Sequence, residues 1–589
     1  MRQSTSADER SSIQRRVLLD PRDGDVEDDA ASPGQRSLLA IAGSLLVEIS
    51  LPKLLFAWTA LLLLPAVLLG LAPLLASAWL SILSEKILVL TEIGAALMLI
   101  AIVALGWFAW RPLLRIVETS FWSLNALAVQ PSYAFCREAL RHLTERIWQN
   151  SLTPNLRMRV RRACSLGAGI LLSAGAALIA ILVWPTSQWT AGLIDLAIGH
   201  HLVLTTLANA VVLVSCYLAA ASLAWGFADA SMDQPADLVA FDIPRSDARI
   251  WRVAHLSDVH VVGERYGFRI ECGRAGPRGN ERFAAALARL AAIHAADPLD
   301  HVLISGDMTD AGRASEWAEF FEALSEHPDL AARTLLLPGN HDVNIVDRAN
   351  PARLDLPFSP GKRLRQMRTV SAISAIQGDR VRLVDTSGKV AATLDELLTP
   401  HREQIVAFAE RGGVRRGAEL RRLFEDQFPM ILPPDQPEGL GIAILDSNAE
   451  THFSFTNALG LVSLEQVQRL EAAMNYFPKA RWIVALHHHL TEYPMPTTKF
   501  SERIGTALIN GSWFVRRLQA FADRVVVMHG HRHIDWIGAC GALKIISAPS
   551  PVMNAADDAP SYFYIHRLVS GLDGTLCLAE PEKVEIAGS

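Results

Sequence analysis

Four apolar stretches constrain this chain more than any other feature. They run over about Leu54–Leu83, Ile87–Trp110, Ser165–Trp184 and Leu202–Trp225. Each has roughly 20 residues or more, enough to cross a hydrocarbon core of about 30 Å. Residues 54–110 hold only the charges Glu85, Lys86 and Glu92, and residues 165–226 hold only Asp195. In hydrocarbon the backbone polar groups must be satisfied within the segment, so such stretches fold as helices. A purely soluble chain and a disordered one are excluded. Residues 38–226 are therefore read as an all-α transmembrane domain. Trp58, Trp79, Trp107, Trp110, Trp184 and Trp225 lie mostly near the span ends, where aromatic rings bridge lipid and water. Pro65 and Pro73 imply a kink or tilt in the first span.

The flanking charges give an orientation. The loop between the second and third spans carries nine arginines, among them Arg137, Arg141, Arg146, Arg157 and Arg162. The loop Pro185–His201 has no Lys or Arg. The positive-inside rule then places the N-terminus, this loop and everything after Trp225 in the cytoplasm. The expected location is the inner (cytoplasmic) membrane, multi-pass, facing the cytoplasm. Residues 1–37 are polar and charge-mixed and are expected to be disordered. Tyr133–Asn150 has the pattern of an amphipathic helix lying on the membrane surface. Glu92, near a span end, reads as interfacial. A net charge of −6 leaves no nucleic-acid footprint. Six dispersed cysteines without a CxxC fit a reducing compartment rather than a disulfide scaffold.

Residues 227–249 are polar and read as a linker. Beyond them short apolar runs alternate with helical stretches such as Ala284–Ala296 and Leu464–Tyr476, an α/β texture. The runs end in chemistry. Arg252–Leu256 leads to Asp258 and His260, and His301–Ile304 to Asp307 and Asp310. Thr334–Leu337 leads to Asn340, His341 and Asp342. Trp482–Leu486 leads to His487, His488 and His489, and Val525–Met528 to His531 and His533. In α/β sheets functional groups gather at the carboxyl ends of strands. Carboxylate, imidazole and amide without thiolate suit Mn, Fe, Zn or Ni. The ligands outnumber those of one tetrahedral zinc. They suit a two-metal site, with one carboxylate bridging ions about 3.5–4 Å apart.

The string Asp258-x-His260, Gly306-Asp307-x-x-Asp310, Gly339-Asn340-His341-Asp342, His487 and Gly530-His531-x-His533 resembles the calcineurin-like metallophosphoesterase superfamily. The resemblance covers about residues 250–570, within a domain expected over 250–589. Leu445–Asn448 followed by a helix and the His triplet is similar to the class III cyclic-nucleotide phosphodiesterase branch. It implies an α/β (α+β) metallophosphoesterase fold, a four-layer αββα sandwich of two packed sheets flanked by helices. It also implies two divalent metal ions as cofactors. Asp258, His260, Asp307 and His533 would hold the first, and Asp307 would bridge to a second held by Asn340, His487 and His531. His487 is preferred in the triplet because it directly follows its strand, with His488 the alternative. His341 would be catalytic near the leaving group, oriented by Asp342, with Asp310 behind the ligands. The implied reaction is phosphodiester hydrolysis by a metal-bridging hydroxide.

One departure is the length between Asp342 and His487. Residues 358–434, rich in Arg and helix formers, read as an insertion. It would cap the active site, touch the membrane, support a homodimer, or form a solvated helical decoration. The leading expectation is a membrane-anchored phosphodiesterase acting on a cyclic nucleotide or similar small phosphodiester, with the bilayer as partner. Its rivals are a lipid-linked pyrophosphatase of the UDP-diacylglucosamine hydrolase kind and a membrane sensor with phosphoesterase output. The former kind has Arg where this chain has His341.

Overall fold

In the computed structural model, all five apolar runs that lead to Asp, Asn or His are β-strands. The structure describes residues 63–89, 129–148, 153–190 and 199–586, with isolated positions between 55 and 104. Short gaps fall at 264–267, 270–273, 276–277, 348–352, 356–358, 386–387, 412–413, 496–507, 553–559 and 572. The expected disordered tail, residues 1–37, and Glu92 lie outside the described residues. The chain forms two units that divide between Met232 and Asp233.

The first unit is helical. Its described helices are Leu64–Val89, Gln130–Ile147, Pro154–Val183 and Gly199–Ser231. Pro65 sits in the first turn of the first helix, where a missing N–H costs nothing. Three segments are long and apolar enough to cross a membrane: Leu64–Glu85, Leu156–Thr186 and Leu202–Ser231. The expectation of four spans is thus met by three among the described residues, and most of 87–110 lies outside them. The first helix also runs on through Glu85 and Lys86, because Ser-Glu-Lys contains no helix breaker.

Small residues set the helix contacts. A Cβ on Gly169 would lie 2.7 Å from the Ser222 carbonyl oxygen and 3.0 Å from Gly226 Cα. Asn209 donates to the carbonyls of Gly70 and Gln188 at 3.2 and 2.7 Å, satisfying an amide between helices. Such close approach and internal bonding replace the hydrophobic effect between helices in lipid. Gly169→Leu is expected to overpack this contact by roughly 1–3 kcal/mol or more. A lowered melting temperature of the detergent-solubilised full chain checks it.

Among the described residues the second unit has sixteen strands, which include all five ligand-bearing runs: β1 Pro235–Asp237, β2 Ile250–Leu256, β3 Phe268–Arg269, β4 Arg274–Ala275, β5 His301–Ile304, β6 Thr334–Leu336, β7 Arg382–Val384 and β8 Val390–Thr393. The rest are β9 Met430–Leu432, β10 Leu440–Ile444, β11 Arg481–Ala485, β12 Val525–His529, β13 Trp536–Cys540, β14 Leu543–Ser547, β15 Ser561–Ser570 and β16 Leu576–Ile586. One sheet has the order β1-β13-β14-β12-β11-β10-β9-β7-β8, and a second β16-β15-β2-β5-β6. β2, β5 and β6 are parallel neighbours, and so are β10, β11 and β12.

Alternation builds the layers. Ile442, Ile444, Ile483, Ala485, Val526 and Met528 share one buried cluster with Val253, Leu256 and Ile304 of the other sheet. The opposite face of the larger sheet is also covered. There Trp482 packs on Phe477 at the end of the helix Leu464–Tyr476. Both faces being buried explains why these strands read as continuous apolar runs.

Two stretches differ from their sequence reading. Part of the supposed linker is β1, which pairs antiparallel with β13. Pro235 is tolerated there because an edge strand can spare an N–H. Within 358–434, β7, β8 and β9 extend the larger sheet, and the helix Pro360–Gln377 is buried along nearly its whole length. Gln377 bonds both the N–H and the carbonyl of Leu336 in β6, at 2.6 and 3.1 Å, and so caps the edge strand of the smaller sheet. This segment builds the fold rather than decorating it.

Candidate metal centre

Because β2, β5 and β6 are parallel and adjacent, the loops after Leu256, Ile304 and Leu336 leave the sheet side by side. β11 and β12 deliver the loops after Ala485 and His529 from the facing sheet. The two sets are tied together. The backbone N–H groups of Asp258 and His260 donate to the carbonyls of Gly306 and Asp307, both at 3.0 Å. The His531 N–H donates to Asp258 Oδ2 at 2.9 Å, and His487 Nδ1 meets the Ser305 carbonyl at 2.8 Å.

The backbone is strained where the ligands sit. Asp258, His260, Asp307, His531 and His533 have φ of 57°, 42°, 52°, 78° and 53°. Among the described residues these are the only non-glycine residues with positive φ. Such conformations cost on the order of 1–3 kcal/mol each and persist only where the surroundings over-determine them. Glycine permits the close approach: a Cβ on Gly339 would lie 2.1 Å from Asp307 N and Oδ1.

Among the described residues three clusters result; His260, Asp310 and His341 form one, and the other two carry the expected ligands. One ligand atom each from Asp258, His260 and His533 lie within 4.8 Å of one another, and so do atoms of Asp307, His487 and His531. Asp307 Oδ2 lies 3.2 Å from His487 Nε2 and 3.7 Å from His260 Nε2, so one carboxylate faces both clusters. Asn340 Oδ1 is 3.1 Å from His487 Nε2. His488 turns away, its Nδ1 2.9 Å from Ser447 Oγ.

The nitrogens fit a cation. His260 Nε2 and His533 Nε2 are 3.3 Å apart, and His487 Nε2 and His531 Nδ1 are 3.2 Å apart. The Ser305 carbonyl only accepts, so His487 carries a hydrogen on Nδ1, which leaves Nε2 as the nitrogen turned to the centre. Asp310 Oδ1, 3.3 Å from His260 Nδ1, does the same for His260. Facing lone pairs ringed by carboxylates suit divalent cations that take nitrogen and oxygen.

Electrostatics agree. Burial would raise the Asp307 carboxyl, but His487 and His341 beside it hold it well below the usual carboxylate range. Burial would depress His487, yet the Asp307 carboxylate pushes it up to about 9.

The contacts around His341 differ from those the resemblance implies. Asp342 does not orient the His341 ring. Its carboxylate accepts from Thr309 N, Thr309 Oγ1 and Gly339 N at 2.9, 2.7 and 2.9 Å. His341 Nδ1 instead meets the Asp310 carbonyl at 2.6 Å. Both residues lie on the helical turn Asn340–Val343, where consecutive side chains point apart. The carboxylate of Asp342 therefore braces the loops and makes no contact of the kind expected for a catalytic partner of His341.

Glu316 was not found from sequence. It is buried, and its Oε2 accepts from the Ala311 and Arg313 N–H groups at 2.9 and 3.0 Å, fixing the turn that carries Asp310. The only signal was a capping-box spacing with Arg313 in place of Ser or Thr. Burial, helped by Asp310, pushes its carboxyl from 4.5 up to about 8. The folded state thus binds the proton more tightly than the unfolded one. The group's stability contribution is intact below about pH 4.5 and is lost as pH rises to about 8. Glu316→Gln keeps an acceptor and removes the charge. Between pH 5 and 8 the wild type is expected to lose roughly 2–4 kcal/mol more stability than this variant, read from unfolding midpoints across pH.

Residues 252–426 match the family model described as calcineurin-like phosphoesterase. That span carries Asp258, His260, Asp307, Asn340 and His341, while His487, His531 and His533 join the centre through the fold. No curated protein matches the chain in sequence. Among solved structures, a candidate 5′-nucleotidase from Staphylococcus aureus, crystallised with alpha-ketoglutarate, aligns at 14% identity and a TM-score of 0.27. The alignment covers 58% of this chain and 55% of that one, so it spans about half of that protein.

Proposed function

We propose that this calcineurin-like metallophosphoesterase is a membrane-anchored phosphodiesterase, acting on a cyclic nucleotide or similar small phosphodiester through two divalent cations. Phosphoric ester hydrolysis as such follows from the family match over 252–426 together with the clustered Asp and His groups. The observation that supports the binuclear reading is Asp307, whose one carboxylate faces both triads. Asp258, His260 and His533 would hold one ion, and Asn340, His487 and His531 the other, with Asp307 between. Divalent cations there would supply Lewis acidity toward the phosphoryl oxygens and the attacking water.

The chain's own residues do the rest. Asn340 directs Oδ1 toward His487, while its buried Nδ2 has no hydrogen-bond partner. That amide is placed to donate to a phosphoryl oxygen, where negative charge grows in the transition state. His341 bears its hydrogen on Nδ1 against the Asp310 carbonyl, so Nε2 is the nitrogen that exchanges a proton with the leaving oxygen. Its ring stands edge-on to His260 at 4.5 Å between centroids, which keeps it beside the ligands.

The test uses the full chain in detergent, stripped and then loaded separately with Mn, Fe, Zn or Ni. Substrates are bis(p-nitrophenyl) phosphate, p-nitrophenyl phosphate, cyclic nucleotides and nucleotide sugars. Diesters are expected to turn over faster than the monoester. Turnover confined to the monoester, or to the pyrophosphate bond of nucleotide sugars, would overturn the diester reading.

A further inference from the structure

The loop from Gly530 to Asp535 carries two residues of the centre, and both are strained. His531 and His533 have φ of 78° and 53°, left-handed values that persist only where the surroundings over-determine them. At the start of the loop the Gly530 N–H donates to the His487 carbonyl at 3.1 Å, and the His531 N–H donates to Asp258 Oδ2 at 2.9 Å. At its end three consecutive residues are fastened. Ser547 Oγ of β14 donates to the Ile534 carbonyl at 2.7 Å, and Trp536 Nε1 donates to Asp237 Oδ1 of β1 at 2.9 Å. Those two ties stay within the larger sheet. Asp535 reaches the smaller one. Its Oδ2 accepts from Tyr562 Oη at 3.1 Å and from Tyr564 Oη at 2.9 Å.

The two tyrosines are alternate residues of β15, so their rings stand on one side of the strand. The rings meet edge to face at 5.8 Å. Burial and the Asp535 carboxylate push both phenols up from their usual value, so both stay protonated and donate. Tyr564 pairs in register with His255 of β2, and the same run of chain leads on to Asp258.

The tie falls where the ligands cross between sheets. Asp258 and His260 follow β2 of the smaller sheet, whereas His533 follows β12 of the larger. His533 Nε2 lies 3.3 Å from Asp258 Oδ1 and 3.3 Å from His260 Nε2. The spacing of the sheets at this point therefore sets the spacing of the donors. The cluster of Asp307, His487 and His531 has a cross-sheet tie of its own, from His487 Nδ1 to the Ser305 carbonyl at 2.8 Å. The two clusters are clamped separately.

We propose that Asp535 is a positioning residue: with Tyr562 and Tyr564 it holds His533 against Asp258, and so tunes the affinity of the Asp258–His260–His533 cluster for its ion, a role that rests on the two-ion reading of the centre. Groups that orient metal ligands are typically worth about 10–100-fold in metal affinity.

The test uses the full chain in detergent, stripped of metal and titrated with Mn or Zn, with bound metal read by mass spectrometry after dialysis. Asp535→Ala is expected to weaken one of the two ions by about 10–100-fold and to leave the other within about threefold of wild type. Tyr562→Phe with Tyr564→Phe removes both donors and should give the same pattern. Asp535→Asn keeps an oxygen acceptor for the phenols and should stay within about threefold of wild type at both ions, which separates the tie from the charge. Hydrogen exchange of the stripped protein reads the loop without metal. Amides of 530–535 should exchange about tenfold faster or more in Asp535→Ala, while those of 305–312 stay unchanged. Equal weakening of both ions would overturn the proposal, as would unchanged exchange in the loop, or a loss in Asp535→Asn as large as in Asp535→Ala. A wild type that binds a single ion would sink the two-ion reading instead, and the exchange comparison would still decide for or against Asp535.

Discussion

Asp307→Ala is expected to lower kcat for phosphodiester hydrolysis by about 10³-fold or more and to reduce the bound metal. The carboxylate does three things at once. Oδ1 accepts the His341 N–H at 2.8 Å, and Oδ2 faces His487 at 3.2 Å and His260 at 3.7 Å. Removing it takes the shared anion from between two imidazole-rich clusters and frees the turn that carries His341. A loss of about 4 kcal/mol in transition-state stabilisation corresponds to 10³-fold at about 1.36 kcal/mol per tenfold. Cation Lewis acidity alone is worth several kcal/mol, so the figure is a lower bound. Asp307→Asn keeps the shape and loses the charge, and should fall between wild type and alanine. The measurements are kcat on bis(p-nitrophenyl) phosphate, metal content by mass spectrometry and circular dichroism for the fold. Turnover within tenfold of wild type at unchanged metal content would remove Asp307 from the centre.

How much of this was legible in the sequence depends on which interaction carried the information. Strand ends were legible because burial makes the inner stretches of β5, β11 and β12 apolar, and the residues just past them are polar. His487 rather than His488 faces Asp307, because the chain bends just past β11 and turns the second ring to Ser447. The strain at Asp258, His260, Asp307, His531 and His533 was not legible, because a dihedral imposed by facing loops leaves no residue signature outside glycine. The resemblance implies that Asp342 orients His341, but on the helical turn Asn340–Val343 neighbouring side chains point apart. The role of β7–β9 was hidden by composition. They are short strands among arginine-rich helices, and pairing with β10, not their own pattern, makes them part of the sheet. On the helical side, hydropathy picked out the three described helices that are long and apolar enough to cross a membrane. It could not tell that the charges of Gln130–Ile147 point inward, where Arg137 pairs with Asp229 at 2.7 Å and Arg141 with Glu138 at 2.9 Å, since an amphipathic pattern is the same whichever side faces water.

His341→Ala is expected to cost an amount that depends on the leaving group. His341 presents Nε2 for proton transfer because Nδ1 is engaged by the Asp310 carbonyl, and it clusters with His260 and Asp310 rather than with Asp307, His487 and His531. General acid catalysis contributes typically about 10²–10⁴-fold, and only where the leaving oxygen needs a proton. A ribose alkoxide needs one, whereas p-nitrophenolate departs unaided. The variant should therefore lose about 10²-fold or more on cyclic nucleotides and less than about tenfold on bis(p-nitrophenyl) phosphate, with metal content unchanged. The same contrast separates an acid from a structural residue, since a disturbed metal centre would slow both substrates alike. Equal losses on the two would move His341 out of the catalytic group and leave the alkoxide to be protonated by solvent.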